Sequence, residues 1–96
     1  MFFVDLWYDK RYGKIVSAAL LKNNVIYKGL THADCFIQRP KGELVNAKQG
    51  FVTANGKFVD RVLALKIAKH YNQIKYKHPP EDMLFSEDIL YNKEEL

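Results

Sequence analysis

Two stretches of the chain place apolar, β-prone runs on either side of a short polar turn, which is the pattern of antiparallel hairpins. Residues 14–30, KIVSAALLKNNVIYKGL, put two such runs around Asn23-Asn24, a pair that tolerates the positive φ of a two-residue turn. Residues 50–60, GFVTANGKFVD, put FVT and KFV around a turn with Asn55-Gly56, a strong short-range hairpin signal. The pattern therefore predicts two β-hairpins.

A helical period follows the second hairpin. From Arg61 to Ile74, apolar residues recur on one face of a helix that turns about 100° per residue, and Asp60 is suited to cap its first turn. Val62 and Leu65 fall on the polar side, which indicates either a second contact, such as one with another subunit, or chance exposure. The predicted apolar face consists of Leu63, Ala64, Ile67, Ala68, Tyr71 and Ile74, opposite Lys66, Lys69 and Gln73.

A shorter helix is predicted between the two hairpins. Residues 31–38, THADCFIQ, start with Thr31 and carry Asp34 three residues later, which resembles a capping box with Asp in place of Glu. The next stretch, residues 43–49 with the sequence ELVNAKQ, is ambiguous between helix and strand. The segment between the hairpins is therefore expected to begin as a helix.

After the main helix, His-Pro-Pro makes residues 75–83 a loop, because proline and the residue before it both disfavour helix. Ser86 is then suited to cap a short helix whose first turn holds residues 87–88. The whole pattern predicts an α+β fold. We expect an antiparallel sheet of hairpins packed by one main amphipathic helix and short helices.

A chain of 96 residues predicts a single domain over residues 1–96. Near its start, residues 2–8, FFVDLWY, alternate imperfectly and could form a further strand. Residues 1–13 are therefore interpreted as a possible extra edge strand or swapped arm.

Charge is unevenly distributed along the chain. Residues 1–80 hold 14 Lys and Arg against 5 Asp and Glu, a balance of +9, whereas residues 81–96 hold 1 against 6, a balance of −5. The distribution fits an ordinary solvated surface or a basic surface that meets an anionic ligand. The acidic end argues against a plain DNA coat, because it would repel phosphate.

Few residues carry the patterns that catalysis or metal binding requires. The single Cys35 excludes a disulfide framework and a Cys-rich zinc site, is consistent with a reducing cytosol, and has apolar neighbours that favour an inert thiol. The histidines lack HxH or HExxH spacing, and no P-loop or GxSxG occurs. We expect no metal, no cofactor and no enzymatic activity. No run approaches the ~20 apolar residues of a membrane span.

Anion binding is the chemistry that the residues leave open. Arg61 falls in the first turn of the main helix, where free N–H groups and the helix dipole favour phosphate. Lys57 and Phe58 lie on the strand just before it; bidentate arginine suits phosphate oxygens, and an aromatic face suits a base. The alternative is that Phe58 packs in the core and Arg61 pairs with a carboxylate.

Several motifs, taken in order, resemble a family of small phage and prophage proteins. The family pattern is a GF(V/I)T-x-x-G-(R/K)-FV-x-R hairpin, a helix that ends near GQI, and a terminal L-x-SEDL segment. This chain has GFVTANGKFVDR, ALKIAKHYNQI and LFSEDIL, and its VIYKGLTHADCF looks like the family's Y-x-G-x-x-H-x-(D/E) motif. The likeness spans roughly residues 14–91. The family is similar to the Thoeris anti-defence sponges, which are non-enzymatic.

Those sponges bind cyclic ADP-ribose isomers, some relatives bind CBASS-type cyclic oligonucleotides, and they work as symmetric oligomers. The resemblance implies a phage-encoded protein of the host cytoplasm that sequesters cyclic nucleotide immune signals without cleaving them. It also implies a homo-oligomer, a dimer or higher. The implied ligand-binding residues are Arg61 and Lys57 on phosphate, Phe58 or Phe51 on adenine, His32 on ribose or phosphate, and Lys77 and Ser86 from the terminal segment.

The chain departs from the family pattern at several points. Thr31 stands where the family often has Arg or Lys, Asn72 stands where Gly is expected, residues 1–13 have no family counterpart, and the loop at residues 39–49 is short. These departures bear on the ligand more than on the fold.

Two other functions fit the same residues. A small basic phage module that binds nucleic acid or blocks a host protein predicts steep salt dependence or a defined protein partner. A small hydrolase of the same nucleotide predicts an altered ligand, although no acid–base pair stands out in the sequence.

Overall fold

A computed structural model describes residues 11–40, 42–77, 79 and 81–91 of the chain. The strand expected at residues 2–8 lies outside this part, as does most of the proposed 1–13 arm. The described residues form the predicted α+β fold. Its elements are β1 (Ile15–Lys22), β2 (Val25–Gly29), α1 (His32–Phe36), β3 (Lys48–Thr53), β4 (Phe58–Asp60), α2 (Arg61–His70) and a 3₁₀ helix (Ser86–Asp88).

The four strands form one antiparallel sheet in the order β2-β1-β3-β4. Both predicted hairpins are confirmed. Asn23 and Asn24 take φ values of 52° and 64° in the first turn, and Gly56 takes a φ of 79° in the second. Those left-handed angles give the turns the twist that neighbouring strands require. Of the ambiguous stretch 43–49, only the last two residues join the sheet, as the start of β3.

Helix α2 begins as predicted and ends earlier than predicted. The Asp60 carboxylate accepts a hydrogen bond of 2.8 Å from the Leu63 N–H, which caps the first turn. The helix ends at His70, because Asn72 adopts a left-handed φ of 57° and the Gln73 N–H returns to the Ala68 carbonyl. Asparagine is tolerated in this conformation, so it serves the C-terminal cap that glycine usually provides.

The core lies between one face of the sheet and the two helices. Leu65 belongs to it and is only 5% exposed, so its assignment to the polar side of α2 was wrong. Val62 is 44% exposed, as the helical wheel predicted. The buried cluster contains Ile15, Ala18, Leu20, Cys35, Leu44, Phe51, Val59, Ala64, Leu65, Ile67, Ala68, Leu84 and Ile89.

The segment at residues 84–91 is held against this core by long-range polar contacts. Ile74 forms an isolated bridge with Ile89, and the Leu90 N–H donates to the Gln73 carbonyl over 2.7 Å. The Gln73 side chain also bonds both backbone groups of Ile15, at 2.9 and 2.8 Å, and the Leu90 carbonyl at 3.1 Å. One buried amide therefore joins the end of α2, the start of β1 and the terminal segment.

Ser86 does not cap the terminal helix, so that prediction was wrong. Phe85 occupies the cap position, and the Asp88 carboxylate accepts a hydrogen bond of 3.1 Å from its N–H. The Ser86 hydroxyl instead accepts a hydrogen bond of 3.2 Å from the backbone of His32, far away in the sequence. The turn that results is a 3₁₀ helix of three residues.

None of the helices in the described ranges is long and apolar enough to cross a membrane.

Candidate functional site

Two of the seven predicted ligand-binding residues, Arg61 and Lys77, lie at the ring of Phe85, and two more, Ser86 and His32, are linked to this place by a hydrogen bond. The Arg61 guanidinium carbon lies 5.1 Å from the ring centroid, and the Lys77 ammonium lies 5.4 Å from it. Ser86 follows Phe85 directly and bonds the backbone of His32. We define the Phe85 cluster as Phe85, Arg61, Lys77, Ser86, His32 and Asp88.

Arg61 is the member of the cluster that is best placed for an anion. It is the first residue of α2, and its carbonyl accepts a hydrogen bond of 3.0 Å from the Leu84 N–H. The side-chain Nε is buried and has no hydrogen-bond partner in the structure. Among the described residues, Arg61 forms no ion pair with a carboxylate. The expected alternative, in which Arg61 is neutralised by a carboxylate, is therefore absent from this part of the chain.

The start of α2 is less open to anions than the sequence predicted. Asp60 occupies the N-cap, and its carboxylate already takes up the Leu63 N–H. A negative charge at this position also partly cancels the positive end of the helix dipole. Attraction for an anion must therefore come mainly from the Arg61 side chain.

Lys77 has a partner within the cluster. Its ammonium lies 3.3 Å from a carboxylate oxygen of Asp88, and the two side chains are 15% and 0% exposed. The same Asp88 oxygen caps the Phe85 N–H. This buried ion pair orders the terminal segment, so the main role of Lys77 is structural. Asp88 also neutralises part of the charge with which Lys77 would attract an anion.

His32 is the imidazole of the cluster: it is buried, and hydrogen bonds hold both its backbone and its ring. Nε2 lies 2.8 Å from the carbonyl of Gly50, so this nitrogen carries the proton in the neutral ring and Nδ1 carries the lone pair. Burial lowers the pKa of His32 below its ordinary 6.5; the Gly50 hydrogen bond opposes this, and the charge of Arg61 adds to the lowering. The neutral tautomer is thus the stable form near pH 7.

The other three predicted residues, Phe51, Phe58 and Lys57, do not contribute a ligand-accessible side chain to the Phe85 cluster. Phe51 is 0% exposed in the core, where its ring contacts His32 edge-on at 5.1 Å, so a ligand cannot stack on it. Phe58 pairs with Val52 one position along the ladder and therefore points to the other face of the sheet. Lys57 is exposed beside the second hairpin turn.

The cavities at the described surface include one beside Arg61 and one beside α1. The one beside Arg61 has a volume of about 350 Å³ and is lined by Ala47, Gln49, Asp60, Arg61, Val62 and Met83. The other, of about 660 Å³, is apolar and is lined by Phe36, Ile37, Arg39, Gly42, Leu44 and Val45. Arg61 is the one residue that belongs both to the Phe85 cluster and to the lining of the smaller cavity.

The described residues offer little to nucleophilic or metal chemistry. No group of three or more His, Cys, Asp or Glu residues in the described ranges is arranged to hold a metal ion. Burial raises the pKa of the Cys35 thiol to about 11, which leaves it protonated and unreactive near pH 7.

Sequence reasoning missed Phe85, Asp88 and the Gly50 carbonyl as parts of this site. One signal for Asp88 was present, since it follows Phe85 at the three-residue spacing that Asp34 keeps from Thr31. Phe85 and Gly50 had no comparable signal. Their roles depend on which segments pack together.

Comparison with known proteins gives one match. Neither a search of curated proteins nor a search of solved structures found a protein that matches this chain. The model of the phage T4 y16D protein family matches residues 11–90, which includes every residue of the Phe85 cluster. The chain therefore belongs to the phage T4 y16D protein family, a family of small phage proteins.

Proposed function

We propose that this phage protein binds a cyclic nucleotide signal through its phosphate at the Phe85 cluster and sequesters it without converting it. The observation that carries the proposal is the Arg61 side chain. Its guanidinium is held against Phe85, its Nε is buried without a partner, and no described carboxylate neutralises it. Cyclic nucleotides as the class of ligand come from the family resemblance.

The contact with Phe85 makes Arg61 well suited to phosphate. A guanidinium stacked on an aromatic ring loses little conformational freedom when it binds, because its orientation is already fixed. Its remaining N–H groups match the spacing of two phosphate oxygens.

His32 supports the recognition of a sugar better than that of phosphate. In the neutral ring, Nδ1 can only accept a hydrogen bond. An ionised phosphate oxygen also only accepts, so the two cannot pair. A ribose hydroxyl can donate to it, and the amino group of a base, the other donor of a nucleotide, is assigned to a different partner below. We therefore assign the ribose, of the two partners considered for His32, to this nitrogen.

The cluster has the composition of a binding site. A hydrolase needs a general base that can reach the reacting group and a second group that can protonate the leaving oxygen. Here the Nδ1 lone pair of His32 could serve as a base, since Nε2 donates to Gly50, but Asp88 is paired with Lys77 as a carboxylate and has no proton to give a leaving oxygen. These contacts support sequestration, with the ligand released intact.

An oligomer would complete the site. The cavity beside Arg61 is small, and Val62 on its rim is 44% exposed. A second copy that covered Val62 would deepen the cavity and shield the ligand from water. We accordingly include a homo-oligomer of two or more copies in the proposal.

The test is a thermal-shift panel of cyclic ADP-ribose isomers and cyclic di- and trinucleotides, followed by heating and chromatography of the released compound. We expect a rise in melting temperature with one or more compounds, which are recovered unaltered. Recovery of an altered compound would make the protein an enzyme. No shift across the panel would refute the proposal.

Variants of Arg61 locate the site in the same assay. Arg61→Ala should weaken binding by about 10- to 100-fold, the cost of about 1.4–2.8 kcal/mol for one charge-assisted contact. Arg61→Lys should recover only part of this loss, because lysine lacks the planar fork. Lys66→Ala is the matched control, since Lys66 is an exposed cation on the same helix. Equal affinity in the Arg61→Ala and Lys66→Ala proteins would refute the site.

A host-protein-blocking module is the second candidate, and the larger cavity favours it. Ile37 and Val45 line that cavity and are 79% and 67% exposed. Ile37→Asp together with Val45→Asp should abolish an effect that depends on a protein partner and leave nucleotide shifts unchanged. Sequestration predicts the opposite pattern, with loss only in the Arg61→Ala protein.

A further inference from the structure

The cavity beside Arg61 has the size of a subsite. Its volume of about 350 Å³ is at the low end of the range for small-molecule pockets, roughly 300–1,000 Å³. A whole cyclic dinucleotide or cyclic ADP-ribose would exceed it, whereas one nucleobase would fit. The cavity is therefore suited to one part of a ligand whose phosphate lies on Arg61.

The walls of this cavity combine apolar and polar groups in the proportions that a base requires. Val62, Met83 and Ala47 supply apolar surface for the flat faces of a ring. Gln49 supplies an amide, which can donate and accept at once, and Asp60 supplies a carboxylate. The Asp60 carboxylate uses Oδ1 on the Leu63 N–H and retains capacity to accept further hydrogen bonds.

Charge orients a ligand in this cavity. Asp60 and Arg61 are adjacent in sequence and both line it, so it has a negative and a positive end. Phosphate is attracted to Arg61 and repelled by Asp60. A hydrogen-bond donor on the ligand is favoured beside the Asp60 carboxylate.

We propose that this cavity binds the nucleobase of the ligand and selects bases with an exocyclic amino group. The inference rests on the proposed function, in which phosphate lies on Arg61. The amino group donates to Asp60, and the Gln49 amide bonds the neighbouring ring nitrogen, a pairing that glutamine forms with adenine elsewhere. An oxo group in place of the amino group would face the Asp60 carboxylate and be repelled.

The test compares amino and oxo forms of the same ligand. The probes are a ribose-linked cyclic ADP-ribose isomer and cyclic di-AMP, each beside its deaminated inosine form, measured by calorimetry. We expect that, for whichever probe binds, the adenosine form binds at least about tenfold more tightly than the inosine form, because the oxo group loses a charge-assisted hydrogen bond and faces the Asp60 carboxylate instead.

Two substitutions assign this preference to the cavity. Asp60→Asn keeps a good helix cap while it replaces the carboxylate with an amide that can donate, so the preference for adenosine should fall or reverse. Gln49→Leu should weaken the adenosine form about tenfold. Gln38→Leu is the control, because Gln38 is an exposed amide that bonds the Lys28 carbonyl away from the cavity.

The outcomes separate this inference from the function beneath it. Binding that depends on Arg61, with equal affinity for both forms and no effect of Asp60→Asn, would overturn the base subsite and leave phosphate binding in place. Absence of binding by every probe, or binding that ignores Arg61→Ala, would overturn the proposed function and the subsite with it.

Discussion

The hairpins and the terminal segment of this protein are stabilised in different ways. Each hairpin is closed by residues adjacent in sequence, such as Asn23-Asn24 with its positive φ angles. The segment at residues 84–91 has no regular element longer than the three-residue 3₁₀ helix. It is held by the Gln73 amide, the Lys77–Asp88 ion pair and the Leu84–Arg61 backbone hydrogen bond.

The difference teaches where a candidate site can arise in a small fold. Local turn chemistry closes the hairpins and starts the helices. It does not specify which side chains from distant parts of the chain come together. The terminal segment places Phe85 against Arg61 and Ser86 against His32, so it assembles the site. Substitutions in the terminal segment should therefore cost more than substitutions of local caps, and they should disturb the site as well.

The largest effect is expected for Asp88→Ala. This substitution removes the cap on Phe85 and leaves the largely buried Lys77 ammonium without its carboxylate. We expect a loss of about 3 kcal/mol in the free energy of unfolding, measured by urea denaturation. Glu87→Gln is the control and should change stability by no more than about 0.5 kcal/mol, because Glu87 is exposed. Equal losses in the two variants would contradict the role of the buried ion pair.

Gln73→Leu should have the next largest effect. Leucine is similar in size but cannot replace the three hydrogen bonds to Ile15 and Leu90, so buried backbone groups lose their partners. We expect a loss of about 2–3 kcal/mol in urea denaturation. The exposed Gln38→Leu should lose less than about 1 kcal/mol. A stable Gln73→Leu protein would show that packing, and not the amide, holds the terminal segment.

A local cap should contribute less than either long-range contact. Thr31 begins α1 with a capping box, in which its hydroxyl accepts a bond of 3.1 Å from the Asp34 N–H. Thr31→Ala should therefore cost about 1 kcal/mol in thermal unfolding, whereas Thr31→Ser retains the hydroxyl and should cost little. If Thr31→Ala cost more than Asp88→Ala, the comparison between local and long-range contacts would be reversed.

The smallest effect is a dependence of stability on pH that comes from His32. Its pKa is lowered in the folded state, so the unfolded chain binds a proton more readily between the folded pKa and about 6.5. Stability from this group is complete above about pH 6.5 and declines as pH falls toward the folded pKa.

Urea denaturation at pH 7.5 and pH 5 checks this sign, with His32→Gln beside His70→Gln as control. The wild-type and His70→Gln proteins should lose more stability on acidification than His32→Gln does. Identical losses in all three proteins would contradict the assignment to His32, and NMR titration of its ring reports the pKa directly.

Much of the fold could be predicted because its signals are local. Asn23-Asn24, the cap at Thr31, the Asn-Gly turn and the cap at Asp60 each act within a few residues, and the structure confirms them. The end of α2 was predicted too late because helical periodicity continued past a residue, Asn72, whose left-handed conformation closes the helix. Leu65 was misassigned because a helical wheel describes one helix, whereas the terminal segment and the sheet both contact α2.

The sequence by itself determined which residue types were available for an anion site, and it placed Arg61 at the start of a helix. Only the tertiary structure decided that Phe85, and not Phe51 or Phe58, lies against Arg61. Alternation along β3 and β4 buries Phe51 in the core and turns Phe58 to the other face. Phe85 reaches Arg61 because buried polar contacts fix the terminal segment beside α2. Such contacts join residues far apart in the chain, and no local pattern specifies them.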